Sequence, residues 1–462
     1  MLPLTLAEIA AAVGGTLHDA DPQARVTGLC TFDSRVVEPG GLYVALPGAR
    51  VDGHDFAGQA IEAGATVVLV ARPLGLPAIV VPDTLAAYGR LATAIVERLP
   101  ELGIVGITGS VGKTTTKDLI GQVLSSLGPT TAPPGNRNSE SGMPENVSRV
   151  TADSRFLVLE MGARHVGDIA YLTSLVRPHV GVVLNVGTAH LGEFGSREAI
   201  AKAKGELVEA LAADGAAVLN ADDPMVAAMA SRTAAEVVTF GLGAGATVRG
   251  ESVEVDGTGR ASFTLRTPAG VAKVALRLVG EHLVPNALAA AAVALHFTDD
   301  VALIARALST AAPVSEGRMQ VVESPAGITV INDAYNAGPV SMTAALRTLT
   351  KLAAGRRAVA VLGQMNELGE TSAADHAGVG AVAAEVGVDW LLTVGNDDAA
   401  QLGRAAAERG VATRHVPDRD AARAALAEEL APGDVVLFKG SNSVGLMSLA
   451  TTLAAATDLT AG

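Results

Sequence analysis

A strand-to-helix loop in the first quarter of the chain limits the possible folds more than any other feature. An apolar run over residues 104–107 leads into T-G-S-V-G-K-T-T at residues 108–115, where a helical pattern begins. Glycines let backbone N–H groups close around phosphate oxygens, Lys113 adds a positive charge, and the Thr114 hydroxyl can bind Mg²⁺. The common form of this motif has glycine at position 107, where this chain has Ile107. The segment predicts a triphosphate site, with an ordinary Gly-rich turn as the alternative.

Composition fits a protein of several layered α/β domains. At 462 residues the chain is too long for one ordinary hydrophobic core, and its length suggests about three domains. Hydrophobic residues make up 49% of the chain but aromatic residues only 3%, so Ala, Val and Leu must fill the cores. The formal net charge of −14 gives no support to nucleic-acid binding, which normally shows a basic patch. No nucleic-acid partner is therefore expected.

The ends and the apolar runs of the chain bear on its location. The N-terminal residues lack the basic start and long apolar stretch of a signal peptide, and Thr5 with Glu8 predicts a helix capping box there. The apolar run at 67–82 is broken by an arginine and two prolines. Cys30 is the only cysteine, which excludes an intramolecular disulfide and suggests a small core residue. We expect a cytoplasmic protein without membrane insertion.

Three segments of the chain differ in their strand and helix patterns. Residues 1–98 are predicted to form a small N-terminal α/β domain, 99–313 a central P-loop-type domain, and 314–462 a C-terminal Rossmann-like domain. In the central domain strands alternate with helices, which predicts a mostly parallel sheet. Its strands are expected at 104–108, 156–160, 179–185, 216–220 and 236–240, with an added antiparallel part at 247–278. The C-terminal strands are expected near 328–332, 358–362, 390–394 and 434–438.

Three further segments carry polar residues that could serve the same site. Glu160 ends an apolar strand, and a carboxylate at that edge suits Mg²⁺, although a strand-end Glu is more often a cap or an ion-pair partner. His190 follows another strand and could be a metal ligand or a hydrogen-bonded loop histidine. Lys202 and Lys204 lie on an amphipathic helical segment, where solvent-facing lysines are usual. The residues alone leave these alternatives open.

Longer motifs extend the pattern over nearly the whole chain. They are E-M-G-A at 160–163 with G-D-I at 167–169, G-T-A-H-L at 187–191 with F-G-S at 194–196, N-D-A-Y-N-A at 332–337 and G-Q-M-N-E-L-G at 363–369. Together with the phosphate loop, and in this order, they resemble the Mur ligase family, ATP-dependent enzymes that form amide bonds in peptidoglycan synthesis. The D-N-P-R signature that one branch of the family carries in its last domain is absent from the sequence.

The resemblance implies a reaction in two steps. The terminal carboxylate of UDP-N-acetylmuramoyl-tripeptide attacks the γ-phosphorus of ATP, and the amine of D-alanyl-D-alanine then displaces phosphate from the acyl phosphate. ATP and Mg²⁺ are the implied cofactors, and a monomer is expected. Two alternatives stay open: a related ligase that adds a different amino acid, and a nucleotide-driven ATPase switch.

The family's motifs also imply roles for individual residues, position by position. The implied catalytic residues are Lys113, His190 and Lys204, and Lys204 matches a lysine that many members carbamylate. The implied Mg²⁺ ligands are Thr114, Glu160, His190 and the modified Lys204. The implied ATP contacts are Thr108, Gly109, Ser110, Gly112, Lys113, Thr114, Thr115, Asn286, Arg318, Asp333 and Asn336. The UDP substrate is expected to contact Ser34, Arg35 and Asn138.

Six positions depart from the family's usual pattern. They are Ser139, Leu283, Gly338, Gln364, Asn442 and Met447. Four of the six lie in the last domain, whereas the phosphate loop keeps its glycines, lysine and threonines. The resemblance therefore defines the ATP site more closely than the site of the incoming amine.

Overall fold

The N-terminal part of the chain forms a small α/β unit in a computed structural model that describes residues 1–48, 51–187 and 191–458. Its elements are β1 (Leu4–Thr5), α1 (Leu6–Val13), β2 (Thr16–His18), β3 (Arg25–Val26), β4 (Cys30–Thr31), β5 (Leu42–Val44), α2 (Ala57–Glu62), β6 (Val67–Val70), β7 (Ala78–Val80) and α3 (Thr84–Val96). One sheet has the order β2-β7-β6-β5-β4, with β2 antiparallel to β7 and the other pairs parallel. The expected capping box is confirmed, because Thr5 and Glu8 bond each other's backbone N–H groups.

The central part contains a nine-stranded sheet. Its elements are β8 (Gly103–Thr108), α4 (Lys113–Ser125), β9 (Thr130–Thr131), α5 (Gly142–Val147), β10 (Phe156–Glu160), α6 (Asp168–Leu175), β11 (Val180–Val183), α7 (Leu191–Phe194), α8 (Arg197–Glu209), β12 (Ala216–Asn220), α9 (Pro224–Ala227), β13 (Glu236–Gly241), β14 (Val248–Val255), β15 (Arg260–Thr267), β16 (Gly270–Val279), α10 (Val284–Leu295) and α11 (Val301–Thr310). The order is β16-β15-β14-β13-β12-β11-β8-β10-β9. Strands β9 to β14 pair in parallel with one another and with β8, and β15 and β16 extend the sheet as antiparallel strands.

The C-terminal part forms a six-stranded doubly wound unit. Its elements are β17 (Gln320–Glu323), β18 (Thr329–Asn332), α12 (Pro339–Ala353), β19 (Ala358–Gly363), α13 (Ser372–Glu385), β20 (Trp390–Val394), α14 (Asp397–Ala407), β21 (Ala412–Val416), α15 (Arg419–Glu429), β22 (Val435–Lys439) and α16 (Leu446–Ala455). The sheet order is β17-β18-β22-β19-β20-β21, and all pairs but β17–β18 are parallel. The expected α/β class, with a mostly parallel central sheet, an antiparallel extension and a Rossmann-like last unit, is confirmed.

Alternating side chains on the central strands divide the core of that unit into two layers. On β10, Leu157 and Leu159 enter one apolar cluster and Val158 the other, as expected for a sheet covered by helices on both faces. Helix α10 consists largely of buried alanines and packs against α4. This part of the core is thus built from small side chains, as the low aromatic content predicts. Cys30 is fully buried, as expected, and its carbonyl accepts a hydrogen bond from Tyr88 Oη at 2.6 Å. Over the described ranges, no helix is long and apolar enough to cross a membrane.

The order of the central strands places the candidate site. Strand β8 lies between β10 and β11, with Ile107 opposite Glu160 and Thr108 opposite Val183. Because these strands are parallel, their carboxyl ends meet at one sheet edge. The phosphate loop, Glu160 and the chain after β11 are thereby brought to the same place.

Candidate active site

The phosphate loop has the conformation that the glycines were expected to permit. Gly112 has φ +85°, in the left-handed region, and a Cβ there would lie 2.6 Å from the Asn286 amide nitrogen. Helix α4 begins at Lys113, so its first N–H groups face the loop. The Lys113 ammonium donates to Gly109 O at 2.7 Å. Backbone donors, a helix N-terminus and one cation therefore converge as a phosphate site requires.

Two asparagines from distant segments brace this loop. Asn185, just after β11, accepts from Val111 N at 2.9 Å and donates to Val111 O at 3.0 Å. Its side-chain amide thus satisfies both backbone groups of Val111, as a neighbouring strand residue would. Asn286, on α10, donates to Gly112 O at 3.2 Å and to Thr116 Oγ1 at 2.7 Å. The Asn286 amide N–H group is thus directed at the loop and at α4. Asn185 received no role from the sequence, because its pairing depends on the β8–β11 register.

Glu160 is the most unusual charge in the cleft. It is 3% exposed, and neither carboxylate oxygen has a hydrogen-bond partner among the described residues. The nearest cation is Lys117, whose Nζ lies 3.9 Å from Oε1 and donates to the Pro133 and Gly135 carbonyls. The Thr108 hydroxyl, also buried, lacks a partner over the same ranges. Because buried polar groups are normally paired, these oxygens suit a ligand or a cation.

Two lysines, Lys113 and Lys204, line the site. Lys204, on α8, is 3% exposed, whereas Lys202 on the same helix is exposed to solvent. Burial, and secondarily the charge of Lys113, hold the pKa of Lys204 well below its usual value. Burial also lowers the pKa of Lys113, while Glu160 opposes that shift and Arg318 adds to it. The amphipathic pattern of this helix did not distinguish Lys204 from its neighbour.

The C-terminal unit contributes Arg318 to the same cleft. Arg318 Nη2 donates to Thr114 Oγ1 at 3.1 Å, and the guanidinium lies 4.3 Å from the centre of the Tyr335 ring. The residues on either side, Gly317 and Met319, both have positive φ, at +66° and +50°. Those two turns direct Arg318 towards α4.

Asp333 and Asn336, at the end of β18, lie beside Arg318 in the cleft. One carboxylate oxygen of Asp333 accepts from Met319 N at 3.1 Å, and the other contacts the Lys439 ammonium at 2.6 Å. Lys439 is buried, and it also donates to the carbonyls of Asp333 and Asn336. Lys439 had no predicted role, although it ends the apolar strand β22. The Asn336 side chain accepts from Ala337 N at 2.9 Å.

The predicted UDP-substrate residues lie in two places. Ser34 and Arg35 belong to a 3-10 helix of the N-terminal unit, Ser34–Val36, and the Arg35 guanidinium is bound by both oxygens of Asp33. Neither residue lines the cleft that contains the phosphate loop and Glu160. Asn138 does line it, and its carbonyl accepts from Gly162 N at 2.9 Å.

One cleft of about 1370 Å³ brings most of the predicted residues together. It lies between the central and C-terminal units, and it is large enough for a nucleotide with a second substrate. The predicted residues that line it are Ser110, Gly112, Lys113, Thr114, Thr115, Asn138, Glu160, Lys204, Asn286, Arg318, Asp333 and Asn336. His190 lies outside the described residues.

Comparison with protein families gives three matches along the chain. The model of the Mur ligase family catalytic domain matches residues 27–110, and that of the Mur ligase middle domain matches 107–294. The third, described as the Mur ligase glutamate ligase domain, matches residues 317–442. The three matches follow one another along most of the sequence.

Individual proteins are similar to the chain over nearly its whole length. The UDP-N-acetylmuramoyl-tripeptide–D-alanyl-D-alanine ligase of Mycobacterium tuberculosis is 48% identical, over 98% of this chain and 98% of its own. The Escherichia coli ligase of the same name is 36% identical, over 96% and 97%. Among solved structures, MurF from Acinetobacter baumannii has a TM-score of 0.86 at 33% identity, covering 98% and 99%. MurF ligase from Thermotoga maritima in complex with ADP has a TM-score of 0.77 at 28% identity, covering 93% and 97%.

Proposed function

The chain belongs to the Mur ligase family, and from this premise we propose how its cleft carries out the reaction. The protein is an ATP-dependent ligase that joins UDP-N-acetylmuramoyl-tripeptide to D-alanyl-D-alanine in peptidoglycan synthesis. ATP is converted to ADP and phosphate as the C–N bond forms. The observation that carries the assignment is the near-full-length identity of 48% to a ligase of that name. A cleft built around a phosphate loop supports it independently.

The chemistry needs an activated carboxylate, because an amine does not displace oxide from a carboxylate. In the proposed sequence a carboxylate oxygen of the tripeptide attacks the γ-phosphorus and ADP leaves. The amine of D-alanyl-D-alanine then attacks the acyl carbon, loses a proton, and phosphate departs. The protein mainly has to position two anions and spread their charge.

Charges lining the cleft support specific roles in these steps. Lys113 would bind the β- and γ-phosphates, with the backbone of residues 109–112 around them, which its position at the start of α4 supports. Arg318 reaches the same helix end from the C-terminal unit and adds a second cation to the γ-phosphate side. Asp333 and Asn336 would serve the ribose side, since both lie beside Arg318. Asn286 would contact the nucleotide base while its N–H group braces the loop.

The donor set fits Mg²⁺. Glu160 offers two buried oxygens without a partner among the described residues, and Thr114 offers a hydroxyl at the start of α4. Hard cations prefer such oxygen ligands. Bound there, Mg²⁺ would neutralise charge that develops on the phosphates. His190 is proposed as a further ligand from the sequence alone.

Lys204 is proposed to be carbamylated. A bare ammonium buried near Lys113 is unfavourable, whereas a carbamate has the opposite charge and offers oxygen ligands to a second Mg²⁺. Intact-protein mass spectrometry in bicarbonate buffer should show the added CO₂, and Lys204→Ala should lose it together with part of the Mg²⁺ response. An unchanged mass and an unchanged Mg²⁺ titration would rule the modification out.

The remaining roles concern the UDP substrate and the division of the chain. We propose that residues 1–98 bind the UDP group through Ser34 and Arg35, and that Asn138 contacts the peptide near the reacting carboxylate. Residues 99–313 would be the ATP-binding domain and 314–462 the domain that brings the incoming amine. The monomeric state and the cytoplasmic location stay predictions.

One assay tests the assignment against both alternatives. Phosphate release is measured with UDP-N-acetylmuramoyl-tripeptide and ATP, with and without D-alanyl-D-alanine, and the product is identified by mass. Phosphate release that needs the dipeptide, with a product heavier by the whole dipeptide, is the expected result. A product carrying a single amino acid would indicate the related ligase. Phosphate release without either substrate would indicate the ATPase switch.

A further inference from the structure

One face of helix α4 contacts the segment that joins the central unit to the C-terminal unit. Thr114, Asp118 and Gln122 are spaced four residues apart, so their side chains project from one face of the helix. Each of them contacts the segment that joins the central unit to the C-terminal unit. This segment, residues 311–318, begins where α11 ends and finishes at Arg318.

The segment runs along α4 in the opposite direction to the helix. Gln122 accepts from Ala312 N at 2.9 Å and donates to Ala312 O at 3.0 Å, a two-way pair. One turn nearer the phosphate loop, Asp118 accepts from Ser315 N at 3.1 Å. At the first turn, Thr114 accepts from Arg318. Successive turns of α4 thus hold successive points of the segment.

Beyond Ser315 the backbone has little freedom to change its course. A Cβ at Gly317 would lie 2.8 Å from Met447 Sδ and 3.1 Å from Tyr335 N, so the left-handed turn there is tightly enclosed. The next residue is Arg318, whose guanidinium packs on Tyr335. Where Ser315 is fixed along α4, the position of Arg318 over Thr114 is therefore largely fixed as well.

Gln122 and Asp118 touch neither the phosphate loop nor Arg318 through any hydrogen bond within the described ranges. Both pair with backbone groups of the joining segment, and Asp118 also contacts the Lys117 ammonium at 3.2 Å. A contact that merely stabilised the fold could attach the segment to any part of the central unit. The observed one uses the helix whose first residue is the phosphate-binding Lys113.

We propose that Gln122 and Asp118 are positioning residues for the ligation: they register the joining segment along α4 and so place Arg318 on the phosphate side of the cleft. The proposal rests on the proposed function in one respect, that Arg318 contacts the nucleotide. It assigns both residues, which line the cleft, a role that acts through the joining segment.

The test is Gln122→Met, which keeps the length of the side chain and removes both hydrogen bonds to Ala312. The KM for ATP should rise roughly five- to tenfold, the size expected for two lost hydrogen bonds, with the KM for the UDP substrate unchanged. The affinity for ADP, measured by calorimetry, should fall by a similar factor. Gln122→Glu keeps the acceptor for Ala312 N and should restore part of the loss. Asp118→Asn, which keeps an acceptor for Ser315 N, should have a smaller effect than Asp118→Ala.

Ser125→Ala is the matched control, because the Ser125 hydroxyl donates within the same helix to Gly121 O. It should leave all kinetic constants unchanged. The proposal is overturned if Gln122→Met leaves the KM for ATP and the ADP affinity unchanged. It is also overturned if kcat and the melting temperature fall while the KM values for both substrates rise together. A wild-type enzyme that does not ligate would refute the proposed function, and ADP binding would still test the role of Gln122.

Discussion

The two candidate ligand loops of the molecule differ in where their polar groups find partners, one in other segments and the other within the loop itself. The phosphate loop, residues 108–115, is braced by amides from two other segments and faces a buried Glu160 whose oxygens have no partner among the described residues. The loop at residues 33–36 is paired within itself, since Asp33 accepts two hydrogen bonds from the Arg35 guanidinium and one from its backbone N–H. The Arg35 side chain is nevertheless 83% exposed. The first loop already has the conformation that phosphate binding would need, whereas the second would have to exchange an internal ion pair for a ligand. Removing a charge should therefore cost far more activity at the first loop than at the second.

The largest effect is expected at Lys113. Lys113→Met keeps the aliphatic length and removes the charge proposed to bind the phosphates, so kcat/KM for ATP should fall roughly 10²- to 10³-fold, as for other preorganised donors. Steady-state phosphate release measures it. Lys202→Met, at the exposed lysine of α8, is the control and should remain near wild type. A fall of less than about threefold at Lys113 would contradict the view of this loop as a preorganised site.

An intermediate effect is expected at Glu160. Glu160→Gln removes a charge that is buried without a hydrogen bond among the described residues, so ligation should fall roughly 10- to 100-fold and half-saturation should need more Mg²⁺. The free energy of unfolding should stay the same or rise by about 1 kcal/mol, because an unfavourable buried charge is relieved. Mg²⁺ titrations and chemical denaturation measure the two quantities.

Glu209→Gln is the control for that comparison, since Glu209 is an exposed partner of Arg232. Both its Mg²⁺ response and its stability should match wild type. If Glu160→Gln lost stability while its Mg²⁺ response stayed normal, Glu160 would be a structural ion-pair partner of Lys117 and not a metal ligand.

The smallest effect is expected at Arg35. Arg35→Ala should raise the KM for the UDP substrate about two- to fivefold and leave the free energy of unfolding essentially unchanged, because the pair with Asp33 is exposed. In the native protein the Arg35 hydrogen bonds hold the pKa of Asp33 below its usual value, and the substitution should raise it. Arg98→Ala, at another exposed arginine of the same unit, should leave the KM unchanged. A loss as large as that of Lys113→Met would remove the distinction between the loops.

Much of the fold could be read from apolar runs. The central strands at 104–108, 156–160 and 216–220 are buried on both faces, so each appears as a continuous run bounded by small or polar residues. Strands β17 and β21 were missed. Both lie at the edges of the C-terminal sheet and expose much of their side chains, which leaves them without an apolar signature.

The candidate site was predictable where a motif fixes the local chemistry and not where the fold brings distant residues together. Lys113 and Thr114 follow from the loop itself. The pairing of Asn185 with Val111, and of Lys439 with Asp333, depends on strand register over separations of 74 and 106 residues. Lys202 and Lys204 lie two residues apart on one amphipathic helix, and the sequence pattern does not tell which of them is buried. The packing of α8 against the central sheet buries Lys204 and leaves Lys202 exposed.

The fully enclosed position of Cys30 has a practical consequence for studying motion. It is the only cysteine of the chain, and burial raises the pKa of its thiol to about 12, so the native protein offers almost no reactive thiolate. Cysteines introduced on the surfaces of α8 and α14 would therefore be labelled selectively without first removing a native one. A pair of fluorophores or spin labels at those points would report the separation of the central and C-terminal units during turnover.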